Sequence, residues 1–296
     1  MEKIRKNKKV IAVFLIPAVL IYLCFELIPV VMSVYFSFND WPGLQAVPLK
    51  FVGFKNYSNL FHNAVFLKSL QNVLIYVVVS VILQVPIGFG LGLLIHHFKK
   101  GQRFFKAAFF IPMILSVTAV ALLWNFIYFP TDKGILNSLL IKIGLGNYIQ
   151  QWLVNPKTSL ICLIVVSTWT SVGYYMIICL AGLTSIPDSV LEAGELDGAT
   201  GWKKIWNLYI PMLWEPLKMS TIMVITGVLK IFDTVYILTP TGGTSNCTIV
   251  PALLMYNEAY RYGHYGTGSA IATVIFVLSA AVSSLKLMNQ KESIEY

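Results

Sequence analysis

Long apolar runs alternate with shorter polar stretches along this chain, and the runs are too long for buried strands. Val10 to about Phe36, Phe66–Ile95, Ala107–Phe129, Leu160–Gly182, Met212–Leu238 and Gly266–Leu287 are each predominantly apolar. A helix of about 20 such residues, rising 1.5 Å per residue, crosses the roughly 30 Å of bilayer hydrocarbon. The pattern therefore predicts an all-α integral membrane protein with six transmembrane helices, and an even number of crossings puts both termini on the same side. Several runs carry prolines, and two of these bear directly on how the helices pack or break. Pro86 sits among Gly88, Gly90 and Gly92, a stripe of small residues where helices can approach closely in lipid. Pro112 interrupts the third run. Glu26 lies within the first, where a carboxylate costs a few kcal/mol unless it faces the interior of the bundle.

The polar stretches differ in kind. Asn39–Val65 is polar and aromatic, Pro130–Ser159 is polar with short apolar patches at Leu136–Ile143 and Trp152–Val154 that fit a half-buried helix, and Thr239–Tyr265 is a loop rich in Gly, Asn and Tyr. Ser185–Pro211 reads as folded. Ser185 is a candidate N-cap, with Pro187 and Asp188 in the first turn. Asp188, Glu192 and Glu195 recur on one helical face, and Ile186, Val190 and Ala193 on another. Asp197-Gly198 stops that helix, and Trp202, Ile205, Trp206 and Tyr209 predict a second amphipathic one, closed by Pro211. Periodicity alone leaves two readings open, a connecting loop on the membrane surface or a docking element for another protein.

Composition agrees with the membrane assignment. Of 296 residues, 57% are hydrophobic and only 12% charged, with mean hydropathy +0.72, more apolar surface than a soluble core of this size can hide. The net charge of +9 does not point to nucleic acid, because the charges sit in short loops where they set topology. Lys and Arg number 12 in the N-terminus, second loop, fourth loop and tail, against 6 in the three opposite loops. The basic side is the cytoplasmic one, so both termini and Ser185–Pro211 are expected in the cytoplasm. The first run is longer than a signal-peptide core and lacks a small-residue cleavage site, so it is expected to be a retained span. Cys24, Cys162, Cys179 and Cys247 show no metal spacing. His96 and His97 are adjacent and cannot face one metal ion from a helix.

The order Glu192-Ala193-Gly194, three residues, Gly198, nine residues, Leu208, one residue, Ile210-Pro211 resembles the E-A-A…G…I-x-L-P loop of membrane-spanning subunits of ATP-binding-cassette (ABC) importers. The fuller string Glu192-Ala193-x-x-x-Asp197-Gly198-Ala199 ending at Pro211 is similar to the carbohydrate-uptake, maltose-type branch, of the first-permease type. Gly194, Leu208 and Ile210 depart from the pattern by small or apolar swaps. Two further stretches carry the resemblance. Leu229–Thr244 is similar to the F-D-x-x-Y-x-L-T…G-G-P stretch of sugar permeases, with Thr244 in place of the proline, and Phe51–Tyr57 resembles the segment before the second span.

The resemblance implies the permease fold of binding-protein-dependent ABC importers in a bacterial-type cell membrane. It implies a chain organised as 1–65 (N-terminus, first span, external segment), 66–287 (core permease with coupling loop 185–211) and 288–296 (tail). It also implies a sugar as substrate, with a second permease subunit, a cytoplasmic ATPase dimer and an extracytoplasmic sugar-binding protein as partners. Glu192, Ala193, Gly194, Asp197, Gly198, Ala199 and Pro211 become the candidate coupling residues. For the substrate pathway, a sugar needs amides, hydroxyls or carboxylates and flat apolar rings, and Trp169, Tyr175, Asp233, Tyr236 and Asn257 have that chemistry. Each is also a plausible packing residue. Lys230 and Asp233, three apart, can neutralise each other as an ion pair or form a polar cavity wall.

No G-x-x-x-x-G-K-[ST] is present, so ATP hydrolysis is expected on a partner chain, and no nucleophile with a base or metal set can be assembled. Neither an enzyme activity nor a cofactor nor a metal is expected. The nearest alternative is a permease of the same family for glycerol phosphate or another polar solute, which would favour cationic groups such as Lys230 in the cavity. An ion-driven secondary transporter would need paired repeats with broken helices, and none is legible.

Overall fold

The apolar runs become helices, but two are sharply broken, and the breaks do not fall where the prolines are. The computed structural model describes residues 8–44, 46–98 and 100–290. The basic residues Lys3, Arg5, Lys6 and Lys99 and the end of the tail, 291–296, lie outside the described residues. In chain order, α1 (Lys8–Tyr22) passes through a π-helical turn, Leu23–Leu27, into α2 (Ile28–Ser37). Strands β1 (Asn39–Asp40) and β2 (Lys50–Phe51) pair antiparallel, with Asn39 opposite Phe51. There follow α3 (Lys55–His62), α4 (Ala64–His97), α5 (Gln102–Ile114), α6 (Val117–Ile127), α7 (Ile135–Lys142), α8 (Ser159–Thr184) and α9 (Asp188–Leu196). The short α10 (Trp202–Lys204), a π turn Ile205–Tyr209 and α11 (Ile210–Met212) lead into α12 (Trp214–Leu229), α13 (Asp233–Leu238), α14 (Pro251–Tyr256) and α15 (Tyr265–Gln290).

Among the described residues four helical stretches are long and apolar enough to cross a membrane: Val13–Ser37, Ala64–His97, Ser159–Thr184 and Tyr265–Ser284. Two bent pairs, Gln102–Ile114 with Val117–Ile127 (96°) and Trp202–Met212 with Trp214–Leu229 (72°), raise the number to as many as six. Pro112 stays inside α5, and the chain breaks instead at Leu115-Ser116, where the Ser116 hydroxyl accepts from the Ala119 amide (3.2 Å) and starts a new helix. Glu26 is exposed rather than interior-facing.

The chain divides into two compact units. One is formed by the chain up to Asn63 and by Leu254–Phe276. Here the buried Asn56 amide donates to the carbonyls of Ser37 (2.8 Å) and Asn39 (3.0 Å), pinning α3 beneath the end of α2. Trp41 packs edge-on against Tyr265, which meets Tyr260. The segment Thr239–Tyr265, read as a loop, contains the helix α14 and a further π turn, Asn257–Arg261.

The other unit, Ala64–Leu253 with the chain from Val277, is built on the contact of α4 with α8. Of the small-residue stripe only every fourth position is used, as the helical repeat requires. A Cβ at Gly88 would lie 2.8 Å from that of Tyr175, and one at Gly92 would lie 3.3 Å from that of Cys179, whereas at Gly90 it would meet nothing within 4 Å. Gly173 of α8 abuts the backbone of Phe109 and Phe110 on α5, so even a methyl group there overlaps the Phe109 carbonyl. Polar ties replace hydrophobic ones where apolar side chains gain nothing against lipid. Tyr76 donates to the Leu163 carbonyl (2.9 Å), and the Asn72 amide donates to the carbonyls of Asn246 (3.0 Å) and Ile249 (2.9 Å). Asn137 on α7 gathers the carbonyls of Phe129, Thr131 and Gln150 and accepts from the Trp152 indole (2.8 Å).

Gly173→Ala is expected to cost about 1–3 kcal/mol by overpacking, whereas Gly90→Ala stays within about 0.5 kcal/mol. Thermal unfolding of the two purified variants in detergent checks the difference, and equal Tm values would contradict the close α5–α8 contact.

Candidate functional site

The loop 185–211 is a helical hairpin seated on the ends of three long helices. Ser185 does not cap α9. Its hydroxyl donates back to the Gly182 carbonyl (2.7 Å) and closes α8, while Pro187 takes the N-cap position with Asp188 in the first turn. The far end of α9 follows from Gly198, whose φ of +81° is cheap only for glycine. With Gly198 left-handed, its amide reaches the Glu195 carbonyl (3.1 Å) and the Ala199 amide reaches that of Gly194 (2.8 Å), which satisfies two of the orphan carbonyls of the last turn. Gly194 faces Leu208 of the returning arm, where a Cβ would lie 3.2 Å from its Cδ2.

Pro211 does not end that arm. The preceding π turn shifts the ladder so that the Ile210 amide bonds to Ile205, and Pro211, lacking an N–H, falls in the first turn of α11 where no donor is required. The chain bends only after Met212.

What holds the hairpin down is apolar. Leu183, Ile186, Tyr209 and Leu213 form a buried cluster, surrounded by Phe89 and Leu93 of α4, Val190 and Leu191 of α9, Ile205, and Leu217 of α12. Fully burying a side chain such as Ile186 contributes about 1.5–3 kcal/mol. The ion pair between Lys204 and Glu195 (2.7 Å), with Glu195 half-exposed, contributes about 0–1 kcal/mol. The cluster, not the salt bridge, decides where the hairpin sits. Ala193 falls on the exposed side and not with Ile186 and Val190 as expected; Leu191 takes its place inward. Asp188, Glu192, Ala193, Asp197, Gly198 and Pro211 are exposed, and Gly194 and Ala199 are half-buried. Leu196 is 90% exposed at the tip.

The second feature is a cavity of about 250 Å³ lined by α4, α6, α8, α12 and α13. Ser167, Thr170, Ser171 and Tyr175 line one wall from a single face of α8, with Gln84 and Thr234 on others. Gln84 is only 3% exposed, and its amide makes no hydrogen bond among the described residues. Among the described residues no charged side chain lines the cavity.

Of the residues expected on a substrate pathway, Tyr175 lines this cavity, and the others lie as follows. Trp169 points off the polar face and packs edge-on against Trp124, with ring centres 5.8 Å apart. Lys230 and Asp233 are both exposed and form no ion pair, because α12 ends at Leu229 and α13 begins at Asp233, so the helical i, i+3 geometry is lost between them. Tyr236 stacks on Phe232. Asn257 belongs to the other unit, where it is 5% exposed with its side-chain oxygen unpartnered among the described residues. Gln84, Ser167, Thr170, Ser171 and Thr234 were not singled out by sequence reasoning. The signal was present in Ser167, Thr170, Ser171 and Tyr175, a polar stripe at helical spacing in an otherwise apolar run. Among the described residues no group of three His, Cys, Asp or Glu side chains could hold a metal ion.

Residues 84–290 match the family described as binding-protein-dependent transport system inner membrane component. The chain is 36% identical to the probable ABC transporter permease protein YurN of Bacillus subtilis, over 96% of this chain and 97% of that one. It is 32% identical to the lactose transport system permease protein LacF of Rhizobium radiobacter, over 92% and 90%. In fold it is similar to a chain in the crystal structure of a bacterial ABC transporter involved in the import of the acidic polysaccharide alginate, with a TM-score of 0.83, 22% identity and 98% coverage of each chain. With a helical hairpin carried on apolar, partly broken spans and a family match over most of its length, this chain belongs to the binding-protein-dependent transport system inner membrane components, the permease subunits of ABC importers.

Proposed function

We propose that this chain forms half of the translocation pathway for a neutral sugar and that the hairpin 185–211 transmits motion from a separate cytoplasmic ATPase dimer. The observation that carries the reading is the buried cluster of Leu183, Ile186, Tyr209 and Leu213, which fastens an exposed acidic helix to α4, α8 and α12. A force applied at Glu192 or Ala193 reaches those helices without an intervening flexible segment. Chains similar to this one are named for lactose and for starch degradation products, which supports a saccharide as substrate.

The lining of the cavity supports an uncharged saccharide. Hydroxyls, a phenol and an unpartnered amide suit a saccharide, and the uncharged lining disfavours glycerol phosphate, whose burial without a cation would be costly. Lys230, the cation nominated for such a substrate, does not line it.

In this reading the chain crosses the membrane six times, α5 with α6 making the third span and α12 with α13 the fifth, and both termini are cytoplasmic. Residues 1–65 supply the first span and external segment, 66–287 the core permease and 288–296 the tail. The chain itself is not catalytic. A second permease completes the pathway, and an extracytoplasmic sugar-binding protein delivers the substrate.

Glu192→Ala and Gly198→Trp should leave the protein in the membrane while lowering ATPase binding or coupled transport. Truncating one partner of a desolvated charge pair costs about 3–5 kcal/mol, roughly 100-fold or more in affinity. Co-purification and sugar uptake in proteoliposomes measure this, and normal uptake by both variants would remove the coupling role. Gln84→Leu should raise the KM for the sugar while basal ATP hydrolysis is unchanged; losing one hydrogen bond of about 0.5–1.5 kcal/mol predicts a change of about 2- to 12-fold. An unaltered KM would place the substrate elsewhere. Glu192→Cys, in a background with Cys24→Ser, should react with an impermeant maleimide only in inside-out vesicles. Labelling from the opposite face would invert the topology.

A further inference from the structure

A cavity larger than the one lined by Gln84 borders the hairpin itself. It is an apolar groove of about 940 Å³ with α4 on one side and the returning arm of the hairpin with α12 on the other. Phe89, Leu93 and Leu217 supply its apolar walls. Trp202, Trp206 and Trp214 also line it, yet remain 71%, 56% and 61% exposed. Their indole N–H groups make no hydrogen bond among the described residues. His97, Lys204, Tyr209 and Thr221 also line it, and the exposed Lys203 adjoins it. Lys204 donates to Glu195 (2.7 Å) and lies over the Tyr209 ring (5.6 Å), so part of its charge is already met, whereas the exposed Lys203 makes no ion pair among the described residues. No carboxylate lines the groove.

The groove thus offers mostly hydrocarbon contact, with indole donors and lysine charge at one end and only the Tyr209 and Thr221 hydroxyls and the His97 ring as side-chain acceptors among the described residues. A transmembrane helix is a poor complement, because its backbone acceptors are already satisfied within the helix. A phospholipid is a good one: its acyl chains are apolar and its phosphodiester and ester oxygens only accept. Tryptophan rings favour the depth at which those oxygens lie, and basic pockets among spans on the cytoplasmic side favour anionic head groups.

We propose that this groove binds an anionic phospholipid of the cytoplasmic leaflet, with acyl chains along Phe89 and Leu93 and the phosphodiester among Lys204, His97 and the three indoles. The placement in that leaflet rests on the inward orientation of the hairpin proposed above. Because Trp202–Tyr209 is both a wall of the groove and part of the hairpin, the bound lipid touches the element that moves.

The test uses the complete transporter, with its permease and ATPase partners, in vesicles holding the probe lipid in both leaflets, so that labelling does not depend on orientation. The maleimide experiment on Glu192→Cys decides orientation separately. Photoactivatable phosphatidylglycerol should crosslink to peptides containing Trp202–Trp214 about fivefold more than photoactivatable phosphatidylcholine does, the preference that one lysine near an anionic surface supplies. Gly90→Phe should abolish that labelling with subunit composition and basal ATP hydrolysis intact, since Gly90 lines the groove and its Cβ direction is open. Should Gly90→Phe fail to assemble, Trp206→Leu, which keeps the wall apolar and removes one donor, should narrow the preference. Equal labelling by the two lipids would reduce the occupant to unspecific annular lipid. Loss of the second permease from Gly90→Phe, with no selective labelling of the parent, would make the groove a protein interface. Either result overturns the proposal.

Discussion

The placement of the hairpin 185–211 depends on one patch of side chains, the cluster of Leu183, Ile186, Tyr209 and Leu213. Within the bilayer, apolar side chains have no preference for one another over lipid, so packing there relies on close approach and hydrogen bonds. At the water-facing edge the preference returns. Burial of Ile186 and Tyr209 from water is what lets a short hairpin of modest intrinsic helicity hold its position on three long helices. The acidic face of α9 is then left outward by default, because α9 has only one apolar face to spend.

The interior of the helical unit obeys the other rule. Gly88, Gly92 and Gly173 set how near α4 and α5 come to α8, and Tyr76, Asn72 and Asn137 hold backbone carbonyls that no side chain pressure would fix. The same close approach leaves room elsewhere. The cavity among α4, α6, α8, α12 and α13 is lined in part with hydroxyls and the Gln84 amide, a chemistry that suits a polar solute.

Much of this was legible in the residues. The apolar runs located the long helices to within a few positions, and the small polar string from Glu192 to Ala199 marked the hairpin and its turn at Gly198. The failures have physical causes. Pro112 drew attention from Ser116, whose hydroxyl starts the new helix after a bend that no proline makes. Ser185 has the identity of a cap but the φ/ψ of a helix end, and its hydroxyl serves the helix behind it. Pro211 does not end the arm because a π turn, invisible to a 3.6-residue pattern, absorbs it. Lys230 and Asp233 lost their pairing to a break in the helix that carries them. Gln84 is a single amide in a long apolar run, and only its empty hydrogen-bonding capacity, seen in three dimensions, distinguishes it from a structural glutamine.

The amide of Asn72 bears on how the chain is made. Its acceptors include the Asn246 carbonyl, 174 residues later in the sequence. At roughly 5–20 residues per second, ribosomal synthesis reaches that acceptor about 10–35 seconds after Asn72 has been added. During that interval the second span enters the bilayer with a buried amide whose final partners do not yet exist. Water, lipid head groups or the insertion machinery must occupy it meanwhile, so the last third of the chain completes the membrane insertion of the first.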